Sequence, residues 1–157
     1  MRVYADTSFL VRLVTEEPGT DVAMADYHRF GRPALFYLPL HSLEVANAVR
    51  QRAFHLEHSA PSGRAAIKRE TASALGMLSK FISRRVFIES SADMDTAIEV
   101  ARSLSAKHTE RLGCRGFDLL HVALALELEC EAFLTADRIQ GALARAEGLD
   151  VTVSADE

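Results

Sequence analysis

Ala132-Phe133-Leu134-Thr135-Ala136-Asp137 is the stretch whose reading decides the fold. Its first four residues run without polar–apolar alternation, and a carboxylate follows. A short run of this kind is expected of a strand buried on both faces, as in a parallel sheet. After it, the spacing predicts a helix over 138–146, Gly148 ends that helix, and Val151-Thr152-Val153 is again strand-like. The chain start repeats the arrangement: Val3-Tyr4-Ala5 reads as a strand ending at Asp6, with a helix from about Ser8.

Working outward, Thr20 is placed to cap a second helix reaching about Phe30, and Leu35-Phe36-Tyr37-Leu38 is a strand stopped by Pro39. A helix from about Leu40 runs to the mid-fifties. Pro61-Ser62-Gly63 interrupts the chain, and Ile67, Leu75, Leu78 and Ile82 recur at helical spacing beyond it. Val86-Phe87-Ile88 is a third strand. Ser91 or Asp93 caps a helix to about Leu112, and Gly113 and Gly116 bracket a turn before an unusually apolar helix over 117–130. Strands alternating with helices imply an α/β domain with a mostly parallel sheet covered on both faces. In such folds ligands sit beyond the carboxyl ends of the strands.

The 157 residues (17.3 kDa) fit one domain, 1–157, with neither a linker nor an internal repeat. Met1-Arg2-Val3-Tyr4-Ala5-Asp6 places a carboxylate where a signal peptide carries its apolar run, and no stretch has the length of a membrane span. The expected setting is cytoplasmic, without a membrane, with Cys114 and Cys130 as free thiols. Net charge is −4, unevenly spread. The helical region at about 50–85 holds eight basic residues (Arg50, Arg52, Arg64, Lys68, Arg69, Lys80, Arg84, Arg85) and two acids, a balance of +6. The remainder holds 10 basic and 20 acidic residues. Such asymmetry fits a surface facing a polyanion, or simply the solvated faces of two long helices.

Four carboxylates carry the chemistry. Asp6 and Asp137 follow strands and fall at the carboxyl edge of the sheet; each also suits a helix cap. Asp118 opens the helix in which His121 is the only polar residue between Leu119 and Leu126, so it is buried and needs partners. At 100° per residue, Glu44, Asn47 and Gln51 share one stripe of their helix, opposite Val45, Ala46, Val49 and Ala53. If the four acids meet in one cleft, each pair about 5 Å apart repels by about 3 kcal/mol at an effective dielectric of 20. A gathering of that kind calls for a cation. Oxygen-only ligation suits Mg²⁺ or Mn²⁺, and carboxylate-held ions of this class serve phosphodiester hydrolysis.

Asp6-Thr7-Ser8, Glu44-Val45-Ala46-Asn47, Phe117-Asp118-Leu119-Leu120-His121-Val122-Ala123 and Phe133-Leu134-Thr135-Ala136-Asp137 together resemble the four acidic motifs of the PIN domain family, in the family's order and over nearly the whole chain. The size resembles that of VapC-type toxins of toxin–antitoxin pairs. The resemblance implies a three-layer α/β/α sandwich with a five-stranded parallel sheet. It implies that Asp6, Glu44, Asp118 and Asp137 are the catalytic quartet binding Mg²⁺ or Mn²⁺, Asp6 and Asp118 most directly. Thr7, Ser8 and Thr135 match supporting hydroxyl positions, and Asn47 a polar companion of the glutamate. The implied activity is metal-dependent cleavage of RNA, leaving a 3′-hydroxyl and a 5′-phosphate. The implied partners are the RNA substrate, a second copy in a homodimer, and a cognate antitoxin. A stand-alone PIN nuclease in RNA processing and a non-catalytic RNA- or protein-binding module stay open.

Other signals are weaker. His121, one turn from Asp118, is placed to contact it or to be a packed core histidine. His55, Glu57 and His58 fit a solvated helix end. Aspartyl phosphoryl transfer at Asp6 is disfavoured because Ser8 stands where a dehalogenase-like pattern has its second aspartate, and a receiver's acidic pair and lysine are missing.

Overall fold

A computed structural model of the chain describes residues 1–59 and 61–154, with Pro61 described in its backbone only. The strands are β1 (Val3–Ala5), β2 (Leu35–Tyr37), β3 (Phe87–Glu89), β4 (Ala132–Thr135) and β5 (Asp150–Val153). The α-helices are α1 (Thr7–Val14), α2 (Thr20–Arg29), α3 (Pro39–Ser59), α4 (Arg64–Ser83), α5 (Met94–Leu112), α6 (Gly116–Glu127) and α7 (Arg138–Ala146). A 3-10 turn over Pro61–Gly63 links α3 to α4.

The five strands form one sheet in the order β3-β2-β1-β4-β5, and every pairing is parallel. The register sets Val3, Tyr4 and Ala5 beside Ala132, Phe133 and Leu134. Because side chains alternate along a strand, Val3, Ala5, Ala132 and Leu134 enter one core with residues of α1 to α4. Tyr4 and Phe133 enter the other with residues of α5, α6 and α7. The result is the three-layer α/β/α sandwich expected from the sequence. Strand order runs outward from β1 on one side and from β4 on the other, so the topological switch point lies between them.

Two glycines serve close packing and helix ending. A Cβ on Gly141 would clash with Cγ2 of Val153, so only glycine lets α7 lie this close to β5. Gly113 ends α5 at φ 70°, where its N–H bonds the Thr109 carbonyl.

Some element ends differ from expectation. Thr20 does not cap α2: Gly19 takes that position at φ 84°, while the Thr20 hydroxyl donates to the Thr15 carbonyl and accepts from the Glu17 N–H. Helix α6 stops at Glu127 instead of reaching 130, because Glu129 turns to φ 53° and Cys130 N–H closes on the Ala125 carbonyl. Of the two candidate caps for α5, Asp93 performs the role, accepting from Asp95 and Thr96 N–H. Among the described residues, no helix is long and apolar enough to cross a membrane.

Candidate active site

Asp6 and Asp137 stand where β1 and β4 end, on the two sides of the switch point. Asp6 is completely buried. It caps α1 by accepting from the Phe9 N–H at 2.9 Å, so the alternative helix-cap reading is also true of it. A cap alone would not require full burial. The Ser8 hydroxyl lies 2.7 and 2.8 Å from its two oxygens, and the Thr135 hydroxyl donates to Oδ2 at 2.8 Å. The same hydroxyls accept from the backbone N–H groups of Ala136 and Asp137, at 2.9 and 2.8 Å. Ser8 and Thr135 thereby bolt the ends of β1 and β4 together around one carboxylate. Burial raises the pKa of Asp6, opposed by the charge of His121 and by these hydrogen bonds.

Asp118 is 2% exposed and sits at the third position of α6. Its Oδ2 accepts from the Arg115 backbone N–H at 2.7 Å, closing a capping box. The Arg115 guanidinium also holds it, Nε to Oδ2 at 3.1 Å and Nη2 to Oδ1 at 3.2 Å, and Gln140 Nε2 donates to Oδ1 at 3.3 Å. Asp137 caps α7 through Oδ1, which accepts from the Ile139 and Gln140 N–H groups. Its Oδ2 faces Arg115 Nη2 at 3.2 Å.

Glu44 enters from α3. Its Oε2 accepts from the Thr7 hydroxyl at 2.7 Å and lies 2.8 Å from His121 Nε2. Burial works against its charge, yet the bonds from His121 and Thr7 outweigh burial and hold its pKa below the ordinary glutamate value. Behind it, His121 Nδ1 lies 2.9 Å from the Tyr4 hydroxyl. Nε2–H donates to Glu44, and on the far side of the ring Nδ1 and the Tyr4 hydroxyl share the second hydrogen bond. Burial, reinforced by the charges of Asp6 and Glu44, raises the Tyr4 pKa well above its usual value and keeps that hydroxyl protonated.

Glu44, Asp118 and Asp137 line a single cleft of about 600 Å³ with Thr7, Ser8, His121 and Arg115, and Asp6 is bonded to Ser8 beneath them. Asn47 is not brought in: it is exposed on α3, outside the cleft lining, and its side chain makes no hydrogen bond among the described residues. Of the two readings of His121, the packed, hydrogen-bonded histidine is the one observed: it is buried, and its hydrogen bonds go to Glu44 and Tyr4 and not to Asp118. Sequence reasoning missed Arg115 and Gln140. The signal for Arg115 was its position three residues before Asp118, the spacing of a capping box. Gln140 stands at the same spacing after Asp137.

The basic excess at 50–85 is partly neutralised. Arg52 pairs with Glu17 and Arg64 with Glu57, whereas Arg50, Lys68, Arg69, Lys80, Arg84 and Arg85 are exposed on or just after α3 and α4.

The PIN domain family profile matches residues 3–149. The chain belongs to the PIN domain family. PIN domains are in general nucleases and typically use divalent metal ions. Among solved structures, this PIN domain is similar to the one described as the crystal structure of PAE2754 from Pyrobaculum aerophilum, at 20% identity over 96% of this chain and 83% of that one, with a TM-score of 0.55. That likeness concerns the fold. No curated protein matches the sequence.

The donor set fits a hard divalent cation, since carboxylate oxygens dominate it and Gln140 Oε1 is buried beside Asp118 without a hydrogen-bond partner. As the side chains stand, no three His, Cys, Asp or Glu residues among the described ones are grouped to share an ion. Arg115 occupies the space between Asp118 and Asp137, and the inward oxygens of Asp6 are taken by Ser8, Thr135 and Phe9.

Proposed function

We propose that this PIN domain is an endoribonuclease dependent on Mg²⁺ or Mn²⁺ that hydrolyses phosphodiester bonds of RNA. The observation that supports this reading best is the convergence of Glu44, Asp118 and Asp137 on one cleft, with a buried Asp6 beneath its floor. A divalent cation bound there supplies Lewis-acid stabilisation of phosphate charge and lowers the pKa of water. Asp118 and Asp137 would hold it from the cleft wall, with Asp6 and Gln140 Oε1 behind them.

The chain's own residues do the rest. Glu44 stays ionised because His121 and Thr7 donate to the same oxygen, which leaves Oε1 to orient the attacking water. Ser8 and Thr135 fix Asp6 and the strand ends, so the carboxylates do not drift apart as charge changes in the cleft. Arg12, also at the cleft, and the exposed basic side chains of α3 and α4 supply positive charge for the RNA backbone. Single-stranded RNA is taken as the substrate class on the resemblance of the four motifs.

The direct test is incubation of end-labelled single-stranded RNA with purified protein and Mn²⁺, followed by end-group analysis. Products with 5′-phosphate and 3′-hydroxyl ends, absent in EDTA, support the reading. Cleavage that persists in EDTA, or ends in a cyclic phosphate, overturns it.

Within the family we place the chain with the VapC-type toxins, as a homodimer restrained by an antitoxin, on the resemblance of its four motifs. Growth arrest on expression in a bacterial host, relieved by Asp118→Asn, supports the toxin reading. Growth unaffected by an active wild-type nuclease points instead to RNA processing.

A further inference from the structure

We propose that Arg115 is a built-in counter-ion for the cleft: its guanidinium holds Asp118 and Asp137 together in the metal-free chain, and a divalent cation must displace it to bind. The inference rests on the metal-site reading above and adds to it a residue that sets the affinity of the site.

Three observations carry it. First, one guanidinium spans two acids from different elements. It meets Asp118 through Nε and Nη2, at 3.1 and 3.2 Å, and Asp137 through Nη2 at 3.2 Å. Asp118 opens α6, while Asp137 follows β4 and caps α7, so the arginine supplies between them the positive charge that two facing carboxylates require. Second, the burial is lopsided. The Arg115 side chain is 72% exposed, against 2% for Asp118 and 24% for Asp137. The cation therefore enters from the solvent side and can leave to it without opening the core. Third, Asp118 does not depend on the guanidinium for its orientation. The Arg115 backbone N–H and Gln140 Nε2 keep it in place, at 2.7 and 3.3 Å, when the side chain swings away. The unpartnered, buried Oε1 of Gln140 then remains as a neutral oxygen beside the vacated space.

Ion pairs with an exposed partner are weak. Displacement is thus an accessible competition rather than a block. A divalent ion replaces one positive charge by two, and the released guanidinium remains tethered at the mouth of the same cleft.

The test is Mn²⁺ titration of the intact protein by calorimetry, for wild type, Arg115→Met and Arg115→Lys, with melting curves in EDTA. A further variant, Arg12→Met, removes one positive charge from the same cleft, together with the bond to the Ser154 carbonyl, without freeing Asp118 or Asp137, and so controls for the loss of a cleft charge. The proposal expects Arg115→Met to bind Mn²⁺ about tenfold more tightly than wild type, and Arg115→Lys to fall between, since an ammonium lacks the planar fork that spans both acids. It expects Arg12→Met to shift affinity threefold or less, and Arg115→Met to melt lower than wild type in EDTA but gain more from Mn²⁺. Equal or weaker Mn²⁺ binding by Arg115→Met, in a protein that still melts cooperatively, overturns the counter-ion role while leaving the metal site standing. So does an equal gain from Arg12→Met. Absence of Mn²⁺ binding in wild type and in all variants overturns the metal-site reading, and this proposal with it.

Discussion

Nε2 of His121 stands 2.8 Å from Oε2 of Glu44, and the opposite nitrogen of the same ring stands 2.9 Å from the Tyr4 hydroxyl. Glu44 is therefore oriented by a residue on α6 that is itself anchored in the middle of β1. Replacing His121 with Phe removes this support and leaves Thr7 alone on the carboxylate. RNA cleavage at saturating substrate is expected to fall about 10- to 100-fold, the usual cost of losing an orienting outer partner, with little change in KM. Tyr4→Phe, which spares the bond to Glu44, is expected to cost less. Wild-type turnover in His121→Phe would remove the ring from the positioning of Glu44.

His41 makes the fold acid-sensitive. It is completely buried, accepts the Leu38 N–H through Nδ1 and stacks on His121 at 5.4 Å between ring centroids. Burial, then the neighbouring charge of His121, lowers its pKa from 6.5 to about 3. The folded chain thus keeps the ring neutral where the unfolded chain protonates it. The stability this contributes is complete above pH 6.5 and is lost as pH falls from 6.5 toward 3, by about 1.4 kcal/mol per unit. In His41→Asn, whose Oδ1 replaces Nδ1 as acceptor, urea midpoints are expected to fall less steeply over that window. Parallel pH profiles for the two proteins would contradict the assignment.

Asp6 shows the opposite linkage. Its raised pKa means that the folded chain binds its proton more readily than the unfolded one, so its charge lowers stability as pH rises through the carboxylate range. Asp6→Asn keeps an acceptor for Ser8 and Phe9, and the Thr135 hydroxyl retains a lone pair for the new N–H. In chelator at pH 7 this variant is expected to melt at least about 3 °C above wild type, the advantage shrinking as pH falls toward 4 and gone below it, while cleavage is lost. A lower melting temperature at pH 7 would show that the carboxylate is kept for the fold.

Gly141 tests the packing of α7. Alanine there runs into Cγ2 of Val153 and is expected to cost about 1–3 kcal/mol through overpacking. Chemical denaturation reads this directly, and an unchanged midpoint would mean that Val153 gives way freely.

The strands were legible as short apolar runs, and Asp6, Asp118 and Asp137 as acids that follow such a run or open a helix, whereas Glu44, in the second turn of α3, was marked only by its stripe with Asn47 and Gln51. Asp6 and Asp137 prove to be helix caps and Asp118 the acid of a capping box, with Asp118 and Asp137 lining the cleft and Asp6 buried beneath it. Helix ends were less legible where the left-handed residue is not glycine, as at Arg85 (φ 56°) and Glu129 (φ 53°). Arg115 stayed hidden because an arginine in the Cys114-Arg115-Gly116 turn carries no periodic signal. Its meaning appears only when β4 brings Asp137 to the same guanidinium. Asn47 shows the reverse: a shared stripe with Glu44 does not bring it to the cleft, because α3 turns it to solvent.

The most direct measurement is cleavage of a quenched fluorescent single-stranded RNA panel in Mn²⁺ by wild type and by Asp118→Asn, each shown folded and free of bound inhibitor. The account predicts cutting by wild type that EDTA abolishes, with Asp118→Asn reduced at least about 1,000-fold, equivalent to about 4 kcal/mol of transition-state stabilisation. Cleavage by Asp118→Asn at the wild-type rate, or a folded wild type that cuts no RNA in the panel, would contradict it.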